Sequence, residues 1–181
     1  MSHLTIYAED DPGKALLATD DLALIQDKLG EAGILLERWQ ADRDLRDDAD
    51  NDTIIDAYRT EIDRLIARGG YRSFDVISMH PDHPEKDAFR QKFLAEHTHS
   101  EDEVRFFVRG QGLFVMHVDG KVYSMLCVRN DLISVPANTK HWFDMGPNPS
   151  FTAIRLFNNP DGWVARFSGD SIAERFPRLE N

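Results

Sequence analysis

Residues 113–128 read Leu-Phe-Val-Met-His-Val-Asp-Gly-Lys-Val-Tyr-Ser-Met-Leu-Cys-Val. Two apolar runs flank Asp119-Gly120. A two-residue type I′ turn needs positive φ at both central positions, and Asp-Gly adopts this readily, so the stretch predicts a β-hairpin. From Tyr71 onward the same texture repeats. Apolar runs at 74–79, 104–108, 113–118, 122–128, 132–135, 141–145 and 151–157 are separated by turn residues. Short runs at regular spacing are the signature of an all-β barrel or sandwich.

The first 70 residues read as mixed α and β. A strand is expected over 4–7 and another over 34–39. Between them, Leu22, Ile25 and Leu29 share one helical face, with Asp20 or Asp21 as N-cap and Gly30 or Gly33 as the stop. A second helix is expected over 53–68, where Ile54, Ile55, Tyr58, Ile62, Leu65 and Ile66 recur at helical spacing and Gly69-Gly70 end the run. The acid-rich stretch 42–63 reads as solvated surface rather than a cation site. Segment 81–94 has room for a helix ahead of the β region, and 170–176 for a short one.

Composition bounds the rest. The 181 residues are 41% hydrophobic and 10% aromatic, enough for one domain with a full core. The single cysteine, Cys127, excludes an intramolecular disulfide and a Cys-rich zinc site. A formal net charge of −11 argues against nucleic acid or an anionic membrane as partner. No run approaches the roughly 18 apolar residues of a membrane span. The opening residues lack a basic, then apolar, targeting pattern. A cytoplasmic monomer with a small-molecule partner is the expectation.

Chemistry concentrates in one place. Residues 97–108 read His-Thr-His-Ser-Glu-Asp-Glu-Val-Arg-Phe-Phe-Val. In a strand, residues of equal parity share a face, so His97, His99, Glu103 and Arg105 would point one way and Val104, Phe106 and Val108 the other. Two such imidazoles can chelate one cation and a carboxylate can add an oxygen donor. A loop over 98–102 would leave Glu101 in competition with Glu103. His141 is the further candidate, brought back across a barrel by the intervening strands. His117, inside an apolar run, reads as structural. His3, His80 and His83 read as terminal or loop residues.

These residues resemble the cupin family. His97-Thr-His99 with Glu103 and Gly110 is similar to the first cupin motif, and Pro136-x-Asn-x-x-His141 to the second. The closer resemblance is to the bacterial acireductone dioxygenases of methionine salvage, carried by His99-Ser-Glu-Asp-Glu-Val-Arg-Phe-Phe-Val108, Asn130-Asp-Leu-Ile-Ser-Val-Pro136, His141-Trp-Phe-Asp-Met-Gly146 and Ile154-Arg-Leu-Phe-Asn-Asn-Pro160. Gln91, Asn130, Asn138 and Met145 depart from the general cupin pattern, none at a ligand position. Asn138 stands for a turn glycine, and Asn tolerates left-handed backbone better than other side chains.

The resemblance implies a mainly β fold: a cupin-type double-stranded β-helix (jelly-roll) barrel with an N-terminal α/β extension and a few flanking helices. It implies one domain over 1–181, with the extension at 1–70, the barrel at 71–160 and a tail with a short helix at 161–181. It also implies one Fe(II) or Ni(II) per chain on His97, His99, Glu103 and His141. The substrates would be O2 and the acireductone 1,2-dihydroxy-3-keto-5-methylthiopentene. Iron would give formate and 2-keto-4-methylthiobutyrate; nickel would give formate, CO and 3-methylthiopropionate. Arg105 is nominated as catalytic and as an anion partner, its alternative being an ion pair with Glu101 or Asp102. Arg155 is a second anion partner, and Phe93, Phe143 and Trp163 would line the methylthio pocket. Another metal cupin enzyme, oxalate oxidase-like or sugar isomerase-like, or a non-enzymatic cupin module, are the competing readings.

Overall fold

A computed structural model describes residues 1–159 and 164–180. Among these residues, eleven strands form two sheets that share one long strand. In chain order these are β1 (His3–Ala8), β2 (Asp11–Thr19), β3 (Leu35–Arg38), β4 (Ser73–Met79), β5 (His97–Thr98), β6 (Glu103–Val118), β7 (Lys121–Val128), β8 (Asp131–Val135), β9 (Lys140–Asp144), β10 (Phe151–Phe157) and β11 (Arg166–Phe167). One sheet runs β11-β5-β9-β6-β7-β1-β2; in the other, β6 lies between β10 and β8, with β4 beyond β10 and β3 beyond β8. Helices α1 (Leu22–Glu31), α2 (Asn51–Ala57), α3 (Arg59–Gly69) and α4 (Lys86–Leu94) flank them. The mainly β barrel with N-terminal β/α elements is as expected. No helix among the described residues is long and apolar enough to cross a membrane.

The hairpin forms as its turn chemistry dictates: Asp119 and Gly120 take φ of 50° and 73°, and β6 pairs antiparallel with β7 from Val118↔Lys121 to Gln111↔Val128. The two runs 104–108 and 113–118, however, are one strand rather than two. The break between them is a bulge. The pairing with β10 skips Val108, Thr152 facing Arg109 and Ala153 facing Phe107, and Gly110 two residues on has φ 74°. A bulge inserts one unpaired residue and reverses the facing. Before it, Arg105 and Phe107 point inward while Val104, Phe106 and Val108 pack beneath the helices; after it, the even-numbered Phe114 and Met116 point inward. Only glycine suits position 110, since a Cβ there would lie 1.9 Å from the Ser150 carbonyl oxygen.

Two further expectations are corrected. The helix expected over 53–68 starts at Asn51, capped by the Asp50 side chain, and breaks at Tyr58 into α2 and α3. The Asp42 backbone N–H donates to the Ala57 carbonyl, competing with the helical ladder, and the Tyr58 ring turns inward to lie 4.7 Å from that of Phe106. Strand β2 was not expected at all: Asp-Pro-Gly-Lys-Ala-Leu-Leu-Ala-Thr lacks polar–apolar alternation, and it forms a mostly exposed sheet edge. The tail's short helix is a 3₁₀ turn over Ile172–Glu174, folded against Val115, Val122 and Trp142.

Glu37 on β3 ties the outer helix to the barrel, accepting from Trp39 Nε1 and from Arg64 and Arg68 of α3. Burial raises its carboxyl pKa, but these donors outweigh that and hold it below the ordinary carboxylate value. A group depressed on folding stabilises above its unfolded pKa, near 4.3, and loses that contribution as pH falls through the folded value. Replacing Glu37 by Gln should cost about 1 kcal/mol at neutral pH. In thermal melts the gap between wild type and variant should close below about pH 4. A gap of equal size at both pH values would contradict the charge-based tie.

Candidate metal centre

The strands bring four dispersed residues to one point. His97 lies on β5, which is held between β9, where His97 faces His141, and β11, where it faces Phe167. His99 follows in the loop, and Glu103 opens β6 opposite Val135. The loop over 99–102 is real, yet the parity expectation survives because the loop is pinned at both ends. Asn138 donates its N–H to the His99 carbonyl, and Asp102 accepts from Ala137 N and Tyr71 Oη. Burial, with the Asp102 charge, pushes the Tyr71 hydroxyl up to about 12, so it remains a donor. Asn138 has φ 62°, and Asn130, another departure from the cupin glycines, has φ 78°. The left-handed turns are kept without glycine.

The donor atoms of His97, His99, Glu103 and His141 lie within 4.8 Å of one another, and all four residues are buried. Glu103, not Glu101, joins the cluster. Nδ1–H of His97 donates to the Ala95 carbonyl (2.7 Å) and Nδ1–H of His141 to the Thr139 carbonyl (2.8 Å). Such bonds fix the tautomer and leave Nε2 with the free lone pair. Glu103 Oε2 lies 2.9 Å from His141 Nε2 and 3.1 Å from His99 Nε2.

Neutral His141 and ionised Glu103 would therefore present acceptor to acceptor at that distance. Only a proton or a cation between them removes the conflict. Without a metal the proton is favoured: burial lowers the His141 pKa, but the bond to Glu103 and its charge raise it overall. A metal does the same with more partners. Donors at about 2.1 Å around one ion sit about 3 Å apart when cis, as here. Imidazoles plus one carboxylate suit a borderline divalent ion. The residues fit a metal.

The remaining electrostatics favour ligand-ready forms. Burial and the neighbouring His141 push the His97 pKa down to about 4. Burial works to raise the Glu103 pKa, but the Arg105 charge and hydrogen bonds from His141 and His99 hold it well below the usual range. Arg105 Nη2 donates to Glu103 Oε1 at 2.9 Å. Its ion-pair partner is thus Glu103, rather than Glu101 or Asp102. Its guanidinium lies 4.6 Å from the Phe143 ring centroid and 5.3 Å from that of Phe114.

The cluster opens on a cavity of about 420 Å³. Phe93 and Phe143 line it, with Ile77, Met79, Phe89, Met145 and Phe151 completing an apolar wall. Arg155 also reaches it, but donates to both carboxylate oxygens of Asp75. Trp163 lies outside the described residues. His117 is not in the cluster: it bridges Glu96 and Glu9 at 2.7 and 2.8 Å. Sequence reasoning missed His83, Phe89 and Lys92, which also line the cavity. For Phe89 and Lys92 the i, i+3, i+4 spacing with Phe93 on one helix was the available signal.

Residues 3–165 match the ARD/ARD' family. The chain belongs to it. Similar proteins include the acireductone dioxygenase of Alcanivorax borkumensis, 61% identical over 178 residues that cover 98% of each chain. That of Serratia proteamaculans is 56% identical over 180 residues, 99% of this chain and 100% of the relative. Among solved structures, acireductone dioxygenase from Bacillus anthracis, with a cadmium ion in its active center, superposes with a TM-score of 0.80 at 30% identity. The match covers 92% of this chain and 98% of that one. The fold is accordingly the cupin-type barrel, and membership places the chain among the metal-dependent dioxygenases of methionine salvage.

Replacing His99 by Ala should weaken metal binding more than about a hundredfold. His117→Ala should keep full occupancy. Elemental analysis after dialysis reads both, and stoichiometric metal in the His99 variant would sink the four-residue site.

Proposed function

We propose that the protein is an acireductone dioxygenase holding one Fe(II) or Ni(II) on His97, His99, Glu103 and His141 and cleaving 1,2-dihydroxy-3-keto-5-methylthiopentene with O2. The observation that carries it is a buried three-imidazole, one-carboxylate cluster at the end of a largely apolar cavity, in a chain of this family. When bound, such a metal supplies Lewis acidity and a template on which an ene-diol and O2 meet.

The chain's own residues do the rest. The Ala95 and Thr139 carbonyls orient two imidazoles. Arg105 keeps Glu103 ionised and aimed, a positioning role, and its side chain borders the cavity where substrate oxygens would lie. Phe93 and Phe143 offer apolar surface to a methylthio chain and exclude water from the reacting end. The iron route, to formate and 2-keto-4-methylthiobutyrate, is the physiological reading; nickel would divert the same polypeptide to formate, CO and 3-methylthiopropionate. We read the chain as a single cupin-like domain acting as a cytoplasmic monomer.

The test is reconstitution of the metal-free protein with Fe(II) and with Ni(II) separately. O2 uptake on synthetic acireductone is expected with each metal, and CO only with nickel. Uptake no faster than in the metal-free control would overturn the assignment. Arg105→Ala should retain at least half the bound metal yet lose about a hundredfold in kcat/KM, and an unchanged kcat/KM would remove Arg105 from the machinery.

A further inference from the structure

An acireductone is most reactive as its ene-diolate anion, and the protein it must enter carries a net charge of −11. The two arginines bordering the cavity are poor candidates for attracting it from solution. Arg105 is 6% exposed and paired with Glu103, while Arg155 is paired through two hydrogen bonds with Asp75. A guanidinium beside a carboxylate at hydrogen-bond distance presents little net charge to an approaching anion.

Lys92 is different. It lies on α4 three residues after Phe89 and directly before Phe93, and all three line the metal cavity. The aromatic pair forms wall, and the lysine, exposed, stands where the wall meets solvent. Among the described residues no carboxylate lies within ion-pair distance of its ammonium, whereas Lys28 has Asp27 and Glu31 and Arg90 has Asp144. The helix that carries it is fixed in place: Arg90 donates to both oxygens of the buried Asp144 on β9, and Lys86 to the Pro147 carbonyl. A rigid helix thus holds an uncompensated point charge at the mouth of the cavity.

We propose that Lys92 recognises the anionic ene-diolate at the cavity mouth and sets its affinity, acting before the chemical step. The inference rests on the acireductone reading for the identity of the anion. Its physical content, an ammonium that captures an ene-diolate, is testable without it.

The experiment compares Lys92→Gln, Lys92→Glu and Lys92→Arg with Lys121→Gln, which removes the same charge from the exposed hairpin turn. The probe is ascorbate, an ene-diol that is a monoanion at neutral pH. Its binding to the Zn(II)-loaded protein is measured by calorimetry at about 20 mM and about 500 mM salt, where screening differs most. At low salt, Lys92→Gln is expected to raise the dissociation constant about three- to fivefold and Lys92→Glu about tenfold. Lys92→Arg and Lys121→Gln should match wild type, and high salt should collapse the differences. With acireductone and the Fe(II) enzyme, KM should follow the same order while kcat stays within about twofold. Equal binding by Lys92→Gln and Lys121→Gln, or a fall in kcat with KM unchanged, would overturn the proposal. Salt-sensitive, Lys92-dependent ascorbate binding in a wild-type enzyme that consumes no O2 with acireductone would support the recognition role and refute the function assigned to the site.

Discussion

A carboxylate 5% exposed at the centre of a barrel is the constraint from which the rest of this site follows. Glu103 left alone there would protonate, because the charged form is the one burial penalises most. It stays ionised because Arg105 holds one oxygen and two imidazoles approach the other. Each partner in turn needs support. Arg105 lies between the Phe114 and Phe143 rings, which shield its charge without competing for its N–H groups. His97 and His141 are turned by backbone carbonyls, and the loop bearing His99 is pinned through Asp102 and Asn138. The acceptor facing at Glu103 and His141 is the unresolved remainder, and a divalent cation is the occupant that resolves it with every donor in use.

Strand β6 makes this arrangement possible by belonging to two sheets. Its first half sets Glu103 and Arg105 between β8 and β10; its second half carries Met116 opposite His141 on β9. Without the bulge at Val108 the inward faces of the two halves would not both meet the core, since one residue of slip sends every later side chain to the opposite face. Gly110, which lets β6 pass the Ser150 carbonyl directly after that bulge, serves the same crossing between sheets.

This explains what was legible in the sequence and what was not. Asp119-Gly120, the Asp21 cap and the His97, His99, Glu103 set depend on neighbours in the chain, and local chemistry announces them. The cluster's fourth member, His141, could be nominated but not placed, because no periodicity connects it to Glu103 and only the pairing of β5 with β9 brings it beside His97. The continuity of β6 was hidden, since a glycine between two apolar runs reads as a loop unless the Ser150 carbonyl against it is known. The break at Tyr58 comes from Asp42, and the neutralisation of Arg155 from Asp75, both contacts made across the fold. His83 was passed over for the same reason: a loop histidine beside a proline has no local mark of the cavity it borders.

Net charge shows the limit of composition most clearly. The acid-rich segment expected at the surface is there, with Asp42 and Asp56 paired to Arg43, Asp48 to Arg46 and Asp63 to Arg59. It borders other surface hollows, whereas among the described residues Glu103 is the one acid lining the metal cavity, alongside Arg105, Arg155, His83 and Lys92. At physiological ionic strength a charge is felt over about 8 Å, so paired and distant carboxylates contribute little at the cavity mouth. An approaching anion responds to the nearest unscreened charge rather than to the sum over the chain. The field that matters to the reaction is thus opposite in sign to the field that composition reports.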